Sequence, residues 1–172
     1  MKKRSSVALL FLSILLIFSS SLSVAARDEP YDENDLANYM EENIYDAQKI
    51  FSEHEVTPAR GFSLFLQIDD LNEDGMVEAG MTAYLDSEEI RAVQINKASN
   101  KDLNILGVYC GDYLADAYDR LMDCHYELKS STRNTDGSYS DEYTSYMDIY
   151  TLNVTTDKET KVTSLYLMKT VG

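Results

Sequence analysis

Apolar and polar residues alternate along this chain at two periods, and each period predicts a different element. Leu36, Met40, Ile44, Ala47 and Phe51 recur at spacings of four, four, three and four, the stripe of one amphipathic helix that Asn34 or Asp35 can cap. Pro58 and Gly61 mark its exit. The period then drops to two. Phe62, Leu64, Leu66 and Ile68 alternate with Ser63 and Gln67, and the pattern returns in Val77, Ala79, Met81, Ala83 and Leu85 after an Asp74-Gly75 turn. Residues 86–89 read as a second turn and residues 90–95 as the strand that closes a hairpin.

A polar linker over residues 97–102 leads to a second round in the same order. Leu114, Ala117, Tyr118, Leu121 and Met122 predict a helix over residues 112–122, and a strand starts near Tyr126. Asp136-Gly137 is another turn. Tyr150, Leu152 and Val154 form one arm of a terminal hairpin, with its turn at 155–160 and its return arm at 162–168. The fold class predicted is α+β, with helices packed on one face of an antiparallel sheet and two degenerate helix-then-strands halves, residues 35–97 and 104–172.

One stretch carries both periods. Tyr139, Tyr143, Tyr146 and Tyr150 lie at spacings of four, three and four, a helical stripe, yet the Ser, Thr and Tyr content and the preceding turn favour extended chain. Extended chain over residues 138–154, with a phase change near Met147 or Asp148 at a bulge or bend, accommodates both. Such a change splits the four tyrosines between faces.

The N-terminus has a different design. Lys2, Lys3 and Arg4 precede an apolar run over residues 7–18, and small residues then end at Ser23-Val24-Ala25-Ala26. Positive, apolar, then cleavable is the order of a secretory signal peptide, predicted over residues 1–26. An uncleaved anchor is the alternative, since residues 7–26 could span a membrane, although four serines within 19–23 weaken the second half. A charged lead-in over residues 27–34, with Pro30, is expected to be disordered.

Cleavage removes three positive charges and no negative ones, moving the net charge from −15 to −18. That field repels nucleic acid and anionic polymers and suits basic partners or divalent cations. Cys110 and Cys124, the 2 cysteines of the chain, flank the second helix. Ten helical residues hold them roughly 15 Å apart, beyond bridging distance, so two thiols are expected.

Over Leu106-Gly107-Val108-Tyr109-Cys110-Gly111-Asp112, followed by Leu114, Ala117 and Leu121, the chain resembles the half-repeat of the beta-lactamase-inhibitor-protein and SmpA/OmlA lipoprotein-like group. The resemblance runs from 106 to 122 and is topological from 126 to 168. It implies a short strand ending in a glycine turn, a helix, then antiparallel strands whose other face or loops engage a protein partner. Tyr113 stands where that group commonly has a small hydroxyl residue, and Met122-Asp123 where its helix usually ends in glycine. No inhibitory contact residue carries over.

Candidate chemistry is sparse. The segment from Asp70 to Glu78 resembles the first nine positions of an EF-hand loop: Asp70, Asn72 and Asp74 stand at positions one, three and five, Gly75 at six and Glu78 at nine. Met81 occupies position twelve in place of the bidentate glutamate, so at most a weak calcium site is expected, one that Met81→Glu should strengthen. A plain hairpin turn explains the same residues. Cys110 precedes a helix that could lower its pKa, but neither His54 nor His125 is placed to serve it as base, and Cys110, Cys124 and His125 lack zinc spacing.

Of the thirteen tyrosines, most are expected to be core or cross-strand residues and those on a strand's outward face to serve recognition; there is no tryptophan. The reading is an exported, non-enzymatic binding module without a cofactor, recognising a protein or peptide through Tyr139, Tyr143, Tyr146 and Tyr150. It touches a membrane only through an uncleaved signal segment. The alternatives are a weakly calcium-binding envelope protein and a hydrolase with an unrecognised site.

Overall fold

The computed structural model describes residues 32–51, 54–68, 78–96 and 101–170, all within one compact unit, Asp32–Gly172. The signal-peptide expectation and residues 27–31 of the lead-in lie outside the described residues, as do Asp70, Asn72 and Asp74.

The fold is α+β. Helices α1 (Ile44–Ile50) and α2 (Leu114–Asp123) accompany ten strands: β1 (Val56–Ala59), β2 (Ser63–Gln67), β3 (Ala79–Tyr84), β4 (Ile90–Asn96), β5 (Asn104–Ile105), β6 (Val108–Tyr109), β7 (Tyr126–Arg133), β8 (Tyr139–Ser145), β9 (Tyr150–Thr156) and β10 (Val162–Lys169). Among the described residues, eight strands form one antiparallel sheet in the order β1-β2-β3-β4-β10-β9-β8-β7, and β5 pairs with β6 alone.

Side chains of period two line up across such a sheet. Leu66, Met81, Val93, Leu167, Leu152 and Tyr143 pair in succession across six strands, and all are buried. Beside them runs the lane Ala79, Ile95, Leu165, Val154 and then Asp141. Ile44 and Ala47 of α1 and Ala117 and Leu121 of α2 belong to the same core. On the opposite face one lane is polar and reads Gln67, Gly80, Gln94, Tyr166, Asn153 and Glu142, beside a mixed lane of Phe65, Thr82, Ala92, Met168, Thr151 and Thr144. Gly80 leaves room for the Phe65 ring, which lies across it: a Cβ at residue 80 would sit 2.4 Å from Phe65 Cζ.

The first helix is not one helix. A 3₁₀ turn, Leu36–Tyr39, is separated from α1 by Glu41 at φ 71°. Here the backbone pairs with the start of β4: Glu41 N–H donates to the Ile90 carbonyl at 2.8 Å, and Ile90 N–H donates to Glu42 at 2.9 Å. Asn43 Oδ1 then caps α1 by accepting from Tyr45 N–H at 2.9 Å. Pro58 does not end a helix but sits in the edge strand β1, where a missing N–H is tolerated.

Three further expectations change. Phe62 and Leu85 fall in hairpin turns and are exposed. The last residues of the lead-in are held: Asp32 Oδ2 accepts from Asn104 Nδ2 at 3.0 Å, the Glu33 carbonyl accepts from the Tyr39 hydroxyl at 3.0 Å, and the Asn34 carbonyl accepts from Asn104 N–H at 3.0 Å. The tyrosine segment is extended on both sides of a phase change, and that change is a chain-reversing 3₁₀ turn, Tyr146–Asp148, with Met147 at φ 67° and Asp148 at φ 55°.

Candidate functional site

β8 builds the most chemically distinctive surface. Tyr139, Asp141 and Tyr143 are second neighbours on one strand and share a face. With Leu114, Ala115 and Tyr118 of α2 and with Thr160, they line a groove of about 350 Å³. The Tyr118 and Tyr143 ring centroids lie 6.4 Å apart at 57°. Arg133 lies over the Tyr139 ring, 5.9 Å from its centroid.

The groove wall is fixed from both sides. Tyr113, which precedes α2, makes no side-chain cap, and the Thr160 carbonyl accepts the Leu114 N–H at 2.8 Å instead. Backbone from the β9–β10 turn therefore does the work of a capping hydroxyl and brings Thr160 to the groove. The other end of the entry is held by Arg120, which donates to the Gly107 carbonyl at 2.8 Å and pairs with the Asp112 carboxylate. Leu106 at φ 57° and Gly107 at φ 72° make the tight two-residue turn between β5 and β6 that this contact requires.

Asp141 ends a lane whose other members are apolar, and it is 5% exposed. Its Oδ1 accepts from Ser131 Oγ at 2.6 Å, while Oδ2, among the described residues, accepts only from the Tyr143 hydroxyl at 3.4 Å. Among the described residues no cation pairs with it. Burial, then the charge and hydrogen bond of Asp141, push the Tyr143 phenol well above its ordinary range, so it stays a neutral donor.

The four tyrosines have different surroundings. Tyr139 and Tyr143 line this groove, but Tyr143 is wholly buried and forms its floor, so it is no outward contact. Tyr146 is 79% exposed and belongs to another depression with Met122, His125, Tyr126 and Glu127. Tyr150 is half-buried and donates to Glu41 Oε1 at 2.6 Å. Sequence reasoning missed Asp141 and assigned Tyr118 only to a helix stripe. Strand spacing puts residue 141 on the face of residues 139 and 143, but that this face is buried follows only from the register of Asp141 with Val154.

Of the calcium-loop residues only Glu78 is described, half-buried, its carbonyl accepting from Asn96 N–H at 2.5 Å. Met81, the missing twelfth position, is a fully buried core residue of β3 between Leu66 and Val93. A glutamate there would enter the core instead of completing a loop. Among the described residues no group of three or more His, Cys, Asp or Glu side chains converges as a metal site would. Cys110 and Cys124 are thiols, with Cys110 Sγ 3.6 Å from the Thr163 carbonyl and Cys124 Sγ 3.9 Å from the Leu106 carbonyl. No helix among the described residues is long and apolar enough to cross a membrane. Comparison with protein-family models, curated proteins and solved structures finds no match.

Proposed function

We propose that this chain is an exported, non-enzymatic binding module that recognises a protein or peptide partner at the groove between α2 and β8. The observation that carries the reading is the groove itself, in which tyrosine rings stand over a buried carboxylate without a cation. Tyrosine supplies contact area and a hydroxyl at low entropic cost, the usual equipment of recognition surfaces. Export is supported by the order of charge, apolar run and small residues at the N-terminus.

The architecture behind this reading is two helix-then-strands halves with both helices on the apolar face of the sheet. Its support is the strand order, in which β1 to β4 and β7 to β10 each run consecutively and the last strand of each set pairs at the centre. Sharing of one core by α1, α2 and the inward lanes supports it further. The resemblance to the beta-lactamase-inhibitor-protein and SmpA/OmlA group implies the same arrangement of helices on one face of an antiparallel sheet.

The test is capture of a partner from the extracytoplasmic fraction by the wild type and by a Tyr118→Ala, Tyr139→Ala double variant. Loss of the partner from the variant, at unchanged melting temperature, is the expected result. Equal recovery by both would exclude the groove, and robust turnover in a hydrolase screen would defeat the non-enzymatic reading.

A further inference from the structure

We infer that the groove between α2 and β8 takes the ammonium group of a lysine side chain presented by the partner. The inference rests on the reading of the chain as a binding module and specifies what that module recognises.

Its first ground is the incomplete set of donors around the buried Asp141 carboxyl. A carboxylate removed from water needs a cation or a full set of donors, and it can accept at about four positions. Asp141 has Ser131 on Oδ1 and a distant Tyr143 hydroxyl on Oδ2. At 3.4 Å that second contact is long for a hydroxyl donor, which leaves Oδ2 able to accept a stronger one. The carboxylate nevertheless lines an open groove, so a donor can reach it from outside.

The second ground is the wall. Tyr118 and Tyr139 offer ring surface beside the carboxylate, over a floor made by the buried Tyr143, and ring faces attract cations most strongly where water is excluded. Tyr139 already holds the Arg133 guanidinium on its ring, and Lys161 lies 5.7 Å from the Tyr113 ring centroid. Arg133 and Lys161 are thus seated on rings, and among the described residues no cation pairs with Asp141.

Geometry selects ammonium over guanidinium. A guanidinium fork uses both carboxylate oxygens and would have to share Oδ1 with the Ser131 hydroxyl at 2.6 Å, whereas an ammonium needs Oδ2 alone. A single open oxygen beside rings suits a compact ammonium with three rotatable donors. A groove of about 350 Å³ admits one side chain, and the chain's net charge of −15 draws basic partners toward it.

The experiment titrates the ¹⁵N-labelled full-length chain with four probes: acetyl-Gly-Lys-Gly-amide, its Nε-acetylated form, the arginine analogue and butylammonium. The lysine peptide should give saturable shifts at Tyr118, Tyr139, Asp141 and Tyr143, Nε-acetylation should abolish them, and arginine should bind more weakly. Asp141→Asn should weaken binding about tenfold or more, the loss expected of a charge-assisted hydrogen bond. Tyr118→Ala, at a partly exposed helix position, should weaken it as well and provides the test if Asp141→Asn does not fold.

Equal shifts from the acetylated peptide, wild-type affinity in the Asp141→Asn variant, or no response at these residues would overturn the inference. Butylammonium binding as tightly as the peptide would keep the ammonium site but remove the peptide partner. A groove-dependent protein partner whose binding ignores Asp141→Asn would do the reverse, leaving the binding module and sinking the lysine.

Discussion

The Tyr150 hydroxyl donates to Glu41 Oε1 at 2.6 Å, joining strand β9 to a turn 109 positions earlier in the chain. Lys169 Nζ on β10 lies 2.8 Å from the same oxygen. Glu41 stands at the break between the 3₁₀ turn and α1, so these contacts hold the break against the sheet. Hydrogen bonds from Lys169 and then Tyr150 keep the Glu41 carboxyl below its ordinary range. Burial, followed by the hydrogen bond and charge of Glu41, pushes Tyr150 up to about 12, and the hydrogen bond to Glu41 raises Lys169.

The sign of the pH dependence follows. A carboxyl with a depressed folded value stabilises fully above its unfolded value, about 4.3, and loses that contribution as pH falls through the lower folded value. Tyr150 and Lys169, both raised, stabilise fully below about pH 10 and lose their contribution as pH rises through the raised values. Glu41→Gln should therefore lower the melting temperature slightly at neutral pH, the pair being largely solvent-exposed. Melting curves of variant and wild type should converge in acid. A constant difference down to about pH 2 would contradict the assignment.

Met81 is a core residue, and its truncation should behave as one. Met81→Ala is expected to cost about 2–5 kcal/mol in urea unfolding, the range for a buried large-to-small change. Met81→Glu should cost more and gain no calcium affinity, because the new carboxylate would be buried among Leu66, Val93 and their neighbours. Calcium-dependent stabilisation of that variant would argue for a loop that reaches residue 81.

Residue 80 tests close packing on the polar face. An added methyl would lie 2.4 Å from Phe65 Cζ and 3.0 Å from the Leu66 carbonyl oxygen. The ring can swing away, but the carbonyl is held in the sheet. Gly80→Ala should destabilise by about 1–3 kcal/mol, and combining it with Phe65→Leu should recover part of that loss. Strict additivity in a double-mutant cycle would show that the ring is not the obstacle.

Thr144 offers the opposite sign. Its Oγ1 is buried and, among the described residues, finds no hydrogen-bond partner. Thr144→Val keeps the β-branched shape and removes an unmet hydroxyl, so a gain of roughly 1 kcal/mol is expected from denaturant unfolding. A comparable loss would mean that the hydroxyl is satisfied in solution.

What could be read in advance follows the range of the forces involved. Strands β3, β4, β9 and β10 were legible because Ala79, Met81 and Ala83, or Leu152 and Val154, alternate strictly, and alternation is a local record of a one-sided core. The break at Glu41 was not, because the competitor to the helix is Ile90, a partner about fifty residues away. Pro58 concealed β1, since proline is compatible with an edge strand but looks like a terminator. The tyrosine spacing of four, three and four came from two strands separated by a turn at Met147 and Asp148, so a helical period arose without a helix. Within the site, Tyr139 and Tyr143 were legible as aromatic strand residues. Asp141 was hidden among 30 acidic residues, and only register, which places it beside Val154 at the end of an apolar lane, sets it apart.

The central claim, that the α2–β8 groove is where a partner docks, is tested most directly by site-specific photo-crosslinking in the producing cell. A photoreactive phenylalanine analogue at residue 118, inside the groove, is compared with one at residue 62, a highly exposed turn position outside it. A discrete protein adduct is expected at 118, absent at 62 and lost when Asp141→Asn is added. Adducts at 62 alone, or none at 118 from a folded chain, would contradict it.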